Sequence, residues 1–403
     1  MRRSGRGHVR GPLAAYAEGF REVLLGRGYT WGSAARQIHL MAHMSRWLDA
    51  NGMGPDQLTP TAVARFVEAR RAEGYVGLRS VRAVTPLIDY LRDLGVVAPQ
   101  PPVLATSEAE WLIADYAEYL VAERGLAAAS LRSYVAVARR LLDDVSLGGV
   151  FDLDGMNAAA VNQFVRRECG RLGVASAKVT VKGVRSLLRF LYLDGRIGVL
   201  LSAAVPAAAG WRLAALPRPI TVTELTRLLE SSNRRSVDGR RDFAILTVLA
   251  RLGLRAGEVA ALRLDDVDWR QGEIMVRGKG RRREPMPMPV DVGQALTDWL
   301  CRGRRADAGG GAVFTSLRAP YRPLSVGGVS AVVRRASRRA EITPVGAHRL
   351  RHTAATGLLR AGAGLAEVGQ VLRHRRLATT AVYAKVDVAA LSTVAQPWPR
   401  EQS

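Results

Sequence analysis

The chain has 403 residues, with 59 Lys+Arg against 36 Asp+Glu and a formal charge of +23. That length suggests two or three domains, each able to bury its own core. With 48% apolar residues and a pI near 11.2, this is a globular chain whose charge points to a polyanionic partner, nucleic acid before membrane.

Two distant cysteines, Cys169 and Cys301, make neither a disulfide framework nor a zinc knuckle. The basic start is not followed by the apolar run of a secretory signal. The most apolar stretch, 197–211, is broken by Gly198, Pro206 and Gly210 and falls short of the roughly 20 residues that cross a bilayer. A protein of the reducing cytoplasm, without membrane contact, is expected. Only four basic residues are lysines (Lys178, Lys182, Lys279 and Lys385), as GC-rich coding would produce. A lysine that persists in such a chain marks a place where arginine does not substitute.

In chain order, the first two hundred residues carry an internal repeat. Tyr16-Ala17-Glu18 recurs as Tyr116-Ala117-Glu118, and Val63, Phe66 and Val67 recur as Val161, Phe164 and Val165. Leu87, Ile88, Tyr90, Leu91 and Gly95 match Leu187, Leu188, Phe190, Leu191 and Gly195. Between them, 36–48 and 131–142 are both basic amphipathic helix patterns. Each repeat reads as four helices. Thr59-Pro60 supplies an N-cap and first-turn proline, and Asn51-Gly52, Gly74 and Gly77 supply breaks. A proline-rich connection at 96–102 joins the repeats, and a second linker at 203–219 carries Pro206, Pro217 and Pro219. The expected domains are 1–95, 108–202 and 220–403, with 203–219 as linker.

Beyond it, Thr221-Val-Thr-Glu224 is a capping box opening a helix through Leu229. Residues 242–252 and 257–264 have helical periodicity. The period then changes: 273–277 and 284–290 flank a basic turn and read as a hairpin, with Pro285, Pro287 and Pro289 alternating as only an edge strand tolerates. Helical patterns return at 292–302, 325–340, 348–360 and 365–373.

The last third gathers charged groups of one kind. Arg255 sits in Gly253-Leu-Arg-Ala-Gly-Glu258, Lys279 in the hairpin turn Arg277-Gly-Lys-Gly-Arg-Arg-Arg283, and His348 and Arg351 share a helix face. His374 closes the next helix, and Tyr383 follows. Taken singly, each reads as a solvated charge, a helix-end residue or a half-buried phenol; their order and spacing carry the signal.

Together, Gly253-Leu-Arg-Ala-Gly-Glu-Val-Ala-Ala-Leu-Arg-Leu264, Gly278-Lys-Gly280, His348-Arg-Leu-Arg-His352 and Thr379-Thr-Ala-Val-Tyr383 resemble the catalytic motifs of the tyrosine recombinase/integrase family, over roughly residues 220–387. The resemblance implies a mainly α fold with a small antiparallel β-sheet. Two N-terminal SAM-like helical bundles would precede a C-terminal tyrosine-recombinase catalytic domain. It implies that Tyr383 attacks a DNA phosphodiester, forming a 3′-phosphotyrosyl link and releasing a 5′-hydroxyl, with no metal, ATP or other cofactor. Arg255 and Arg351 would clamp the non-bridging oxygens, and His348 would assist proton movement at the nucleophile. His374 would donate a hydrogen bond to the phosphate, and Lys279 would protonate the leaving oxygen, a task for an ammonium that an arginine performs poorly. Lys385, two residues past Tyr383, competes for that last role.

Where relatives commonly have Leu-Gly-His, this chain has Leu372-Arg-His374, which places the local backbone in question. Arg281, Arg282 and Arg283 on the hairpin and Arg36, Arg46, Arg132, Arg139 and Arg140 in the N-terminal repeats are expected phosphate contacts on double-stranded recombination sites. The family works as a homo-tetramer on DNA, sometimes with accessory or sister recombinases. The extra N-terminal unit favours an integrase or transposase of a mobile element. The competing readings are a non-catalytic DNA-binding or architectural protein and a type IB topoisomerase-like nicking-closing enzyme.

Overall fold

The computed structural model describes residues 9–99, 107–146, 153, 155–207, 219–278, 283–306, 308–374, 380 and 383. Lys279, Arg281, Arg282, Lys385, most of the second linker and the segment after Tyr383 lie outside the described residues. The chain divides into two compact units, Met1–Ala98 with Ala215–Ser403, and Pro99–Ala214.

In the first unit, helices α1 (Ala17–Gly26), α2 (Trp31–Ala50), α3 (Pro60–Ala72) and α4 (Val81–Asp93) form a bundle. Thr30 and Thr59 cap α2 and α3, their hydroxyls accepting from the Ser33 and Ala62 amides, and Pro60 occupies the first helical turn, where its missing N–H costs nothing. Phe20, Leu24, Met41, Leu48, Phe66, Leu87 and Leu91 fill the interior. At the end of α4, Gly95 takes a φ of 71° and the Val96 N–H donates to the Leu91 carbonyl at 2.9 Å.

The second unit holds α5 (Glu108–Ala122), α6 (Ala128–Val145), α7 (Ala158–Gly170) and α8 (Val174–Leu193). Their core is built from Leu112, Tyr116, Leu120, Leu141, Phe164, Leu187 and Leu191. Gly183 lets α8 lie against α6, since a Cβ there would sit 3.0 Å from the Cβ of Val137. After α8, Gly195 has φ 72° and the Arg196 N–H donates to the Leu191 carbonyl at 2.9 Å.

The remainder of the first unit contains α9 (Val222–Glu230), α10 (Val237–Leu252), α11 (Ala256–Ala261), β1 (Val267–Asp268), β2 (Glu273–Arg277), β3 (Arg283–Pro287), α12 (Val290–Arg302), α13 (Val326–Arg339), α14 (Ala347–Arg360) and α15 (Leu365–Val371). The strands form an antiparallel sheet in the order β1-β2-β3, with Pro285 opposite Met275 and Pro287 opposite Glu273. β3 is therefore the edge strand that alternating prolines require. The strand stops at Pro287, three residues before the end expected from sequence. Pro289 caps α12 instead, because its fixed φ and missing N–H suit a helix entry. The helix expected over 257–264 likewise ends at Ala261, and a short 3-10 turn over Leu264–Asp266 follows, closed by the Asp266 carboxylate accepting from the Arg263 amide.

α10 lies at the centre, buried on nearly every face from Ala244 to Leu252, which explains its unbroken apolar run. Around it pack Leu228, Leu296, Val332 and Leu350, and Trp299, whose indole N–H donates to the Val313 carbonyl at 2.9 Å. The described chain is thus mainly helical with one small three-stranded sheet. Among the described residues, no helix is long and apolar enough to cross a membrane.

Candidate active site

The site is built where α10, α11, α14 and α15 end or begin. Gly253 terminates α10 in the left-handed region, φ 59° and ψ 26°. A Cβ at that position would lie 2.8 Å from the Leu372 Cδ2 and 3.4 Å from the Ala354 Cβ. Two residues on, Arg255 is the N-cap of α11, where Glu258 reaches back. Its Oε2 accepts from the Arg255 amide at 2.8 Å, and its Oε1 pairs with the Arg255 Nη1 at 2.7 Å. The Glu258 carboxylate is buried, whereas the Arg255 side chain is 45% exposed.

α14 contributes His348, Arg351 and His352 within its first turns. Arg351 is only 1% exposed. Its Nη1 donates to the Gly253 carbonyl at 2.6 Å and its Nη2 to the Leu372 carbonyl. It therefore ties the ends of two helices together through carbonyls those helices leave free. Burial, then the charge of Arg255, lowers Arg351 to about 10, so it remains a cation at neutral pH.

Tyr383 is 2% exposed and packs against Ala355, Val368 and Leu372. Its ring lies 5.4 Å from that of His352 and 6.2 Å from that of His374, with the latter two planes parallel within 2°. His348 meets His352 edge-on at 4.4 Å. Burial raises the Tyr383 phenol above its ordinary value, with Arg351 and Arg255 opposing that shift. Burial and neighbouring positive charge lower His348, and lower both His352 and His374 to about 4. At neutral pH the three imidazoles are uncharged beside two guanidinium ions. The His374 Nδ1 shares a hydrogen bond with the Thr380 Oγ1 at 2.8 Å. Thr380 fits there because Gly369 faces it: a Cβ on Gly369 would be 3.0 Å from that hydroxyl oxygen.

The Leu-Arg-His departure leaves the turn intact. Arg373 adopts φ 53°, the conformation glycine usually fills. The Arg373 amide donates to the Gln370 carbonyl at 2.8 Å and the His374 amide to Gly369 at 2.9 Å, the paired bonds of a Schellman ending. The helix stops at Val371, short of the expected 373, and His374 lies just beyond the turn. The structure thus brings Arg255, His348, Arg351, His374 and Tyr383 into one electrostatically coupled group, while Lys279 lies outside the described residues.

The phage integrase family model matches residues 218–389. A provisionally named integrase/recombinase of Sinorhizobium fredii, y4rA, is 38% identical over 97% of this chain and 96% of its own. The chain belongs to the tyrosine recombinase family.

This tyrosine recombinase is also 34% identical to the tyrosine recombinase XerD of Mycobacterium leprae, over 72% of this chain and 97% of that one. Among solved structures it shares its fold with the XerH site-specific recombinase bound to a palindromic difH substrate, at TM-score 0.57 and 17% identity over 83% of this chain and 94% of that one. The Tn1549 transposon integrase in complex with circular intermediate DNA gives TM-score 0.51 and 17% identity, over 70% and 99%.

Four residues of this candidate site carried no expected role from sequence: Glu258, His352, Arg373 and Thr380. Each lay inside a quoted motif or beside one. Only the departure at Arg373 was a signal that could have singled one out. Of the expected phosphate contacts, Arg283 is exposed on the edge strand, Arg36 and Arg46 are exposed on α2, and Arg132 and Arg139 are exposed on α6. Arg140 pairs with Glu168 at 3.0 Å. Arg281 and Arg282 lie outside the described residues. Among the described residues, no three His, Cys, Asp or Glu side chains are grouped to hold a metal ion.

Proposed function

We propose that the chain is a site-specific DNA recombinase acting through a 3′-phosphotyrosyl intermediate, as integrase or transposase of a mobile element. The observation that carries this reading is the convergence of Arg255, Arg351 and three neutral imidazoles on the buried phenol of Tyr383. A phenol is a weak nucleophile until it loses its proton. An uncharged His348 can accept one, and the two guanidinium ions favour the phenolate. The phenolate oxygen bonds to phosphorus while the bond to the 5′-oxygen breaks, and Lys279 supplies the proton that oxygen needs. Arg255 meets the charge that develops on the non-bridging oxygens, and Arg351 contributes its field and any N–H not engaged with Gly253 and Leu372. His374, its Nδ1 accepting from the Thr380 hydroxyl, donates its Nε2–H to the phosphate. Because the energy of the broken bond is kept in the covalent link, rejoining requires neither ATP nor a metal.

The partner is double-stranded DNA, gripped by exposed arginines including Arg283, with a homo-tetramer assembled on two sites. The structural relatives bound to DNA and the net charge of +23 support the DNA partner. The two N-terminal bundles are duplicates. In support, the turns at Gly95 and Gly195 repeat the same hydrogen bonds, Val96 to Leu91 and Arg196 to Leu191, each at 2.9 Å. The corresponding domains are 1–95, 108–202 and 220–403.

The test is covalent capture on a pool of nicked random-sequence duplexes. Wild type should yield protein-linked DNA through a 3′-phosphate without added metal or nucleotide, and Tyr383→Phe should yield none. Steeply salt-dependent binding with no adduct would instead mark an architectural protein, and relaxation of any supercoiled plasmid without strand exchange would mark a topoisomerase-like enzyme.

A further inference from the structure

The Arg373 side chain is buried, 8% exposed, beside Glu258. Its Nη2 donates to the Glu258 Oε2 at 2.9 Å, and its Nη1 rests against the Met286 sulfur on β3. Glu258 is therefore shared between two arginines: its Oε1 holds the Arg255 guanidinium, and its Oε2 takes both the Arg255 amide and Arg373. Burial raises the Glu258 carboxyl, but the Arg255 amide and the two guanidinium ions outweigh it and hold it below its ordinary range. The carboxylate is thus charged, and two cations answer it. A non-glycine residue in the left-handed region is disfavoured, so an arginine there is explained by its side chain rather than by its backbone.

We propose that Arg373 is a positioning residue that frees Arg255 for an incoming phosphate by neutralising Glu258 in its place. This rests on Arg255 being a phosphate-binding group. With Arg373 present, moving the Arg255 guanidinium from Glu258 to a phosphate leaves the buried carboxylate still paired. Without it, the same movement would strand a buried charge, which is strongly unfavourable. Through Glu258, Arg373 thereby couples the α15 turn, and His374 one residue on, to the Arg255 loop.

The experiment uses the full-length chain without DNA and orthovanadate as a tetrahedral phosphate probe, with affinities measured by calorimetric titration. Arg255→Ala establishes the premise: if orthovanadate binds it as it binds wild type, the reading of Arg255 fails and the inference fails with it. With that premise met, Arg373→Met should bind orthovanadate about tenfold more weakly, the scale of one charge-assisted hydrogen bond. Adding Glu258→Gln should restore that loss, because a neutral amide still accepts from the Arg255 amide but no longer holds its guanidinium. A merely structural role for Arg373 predicts that the double variant binds as weakly as Arg373→Met or more so, and that result overturns the proposal. Arg373→Lys keeps a cation beside the carboxylate and so protects the fold should Arg373→Met melt. Its smaller loss, about threefold by the same scale, must also vanish with Glu258→Gln, and persistence of the loss is equally fatal.

Discussion

Gly253→Ala reports on how tightly the fold and the site are joined. Alanine at φ 59° costs about 1 kcal/mol for the left-handed backbone alone. The added methyl carbon would then lie 2.8 Å from the Leu372 Cδ2, and Leu372 is fully buried. Relief requires a shift of Leu372 or of the turn it begins, at about 1–3 kcal/mol for an overpacked core. A total near 3 kcal/mol is expected, roughly 6–12 °C in the calorimetric transition of a domain of this size. Gly95→Ala and Gly195→Ala are the internal controls. They have φ 71° and 72°, with no atom within 4 Å of the new methyl, so each should cost only about 1 kcal/mol. The excess at Gly253 measures the clash. Because the Gly253 and Leu372 carbonyls both accept from Arg351, the same substitution should weaken orthovanadate binding, whereas the controls should not. A Gly253→Ala protein as stable as the controls would refute the steric argument.

Removing Arg351 as Arg351→Ala leaves two buried carbonyls without donors, and should cost about 3–5 kcal/mol in urea unfolding; Arg351→Lys, with one compact charge, should recover only part of it. His352 and His374 lie near 4 in the folded chain against about 6.5 unfolded. The unfolded chain therefore binds more protons between those values, so stability should be flat above about pH 6.5 and fall as pH drops toward about 4. Melting temperatures across that range check the sign, and His352→Gln should flatten part of the slope. Arg283→Ala should lower the slope of log affinity against log salt on a random duplex by about one unit; an unchanged slope would remove Arg283 from the DNA-contacting set.

The recombinase fold was legible wherever a local rule acts alone. Thr59-Pro60 and the Thr221–Glu224 capping box begin their helices where sequence places them, because both motifs satisfy amides within their own turn. The edge position of β3 followed from prolines that cannot donate. The hairpin's end did not, because Pro289 suits an edge strand and a helix cap equally, and the choice falls to α12 packing on α10. In the site, the type and order of Arg255, His348, Arg351, His374 and Tyr383 were readable, but their pairing was not. Arg351 was expected to face a phosphate, yet two of its N–H groups hold the Gly253 and Leu372 carbonyls, a contact between residues 98 and 21 positions from it that no local pattern encodes. Arg373 shows the same limit from the other side. From sequence it is a glycine position with the wrong residue, and the expectation of an altered backbone follows from the φ that position needs. The turn survives because the side chain recovers, through Glu258, an ion pair whose two members stand 115 positions apart. A departure from a local rule is thus informative in kind but silent about its compensation, since compensation is long-range. Replacing Arg373 with glycine should therefore improve the turn's backbone energy while weakening phosphate binding, and a gain in both would show that the arginine compensates for nothing.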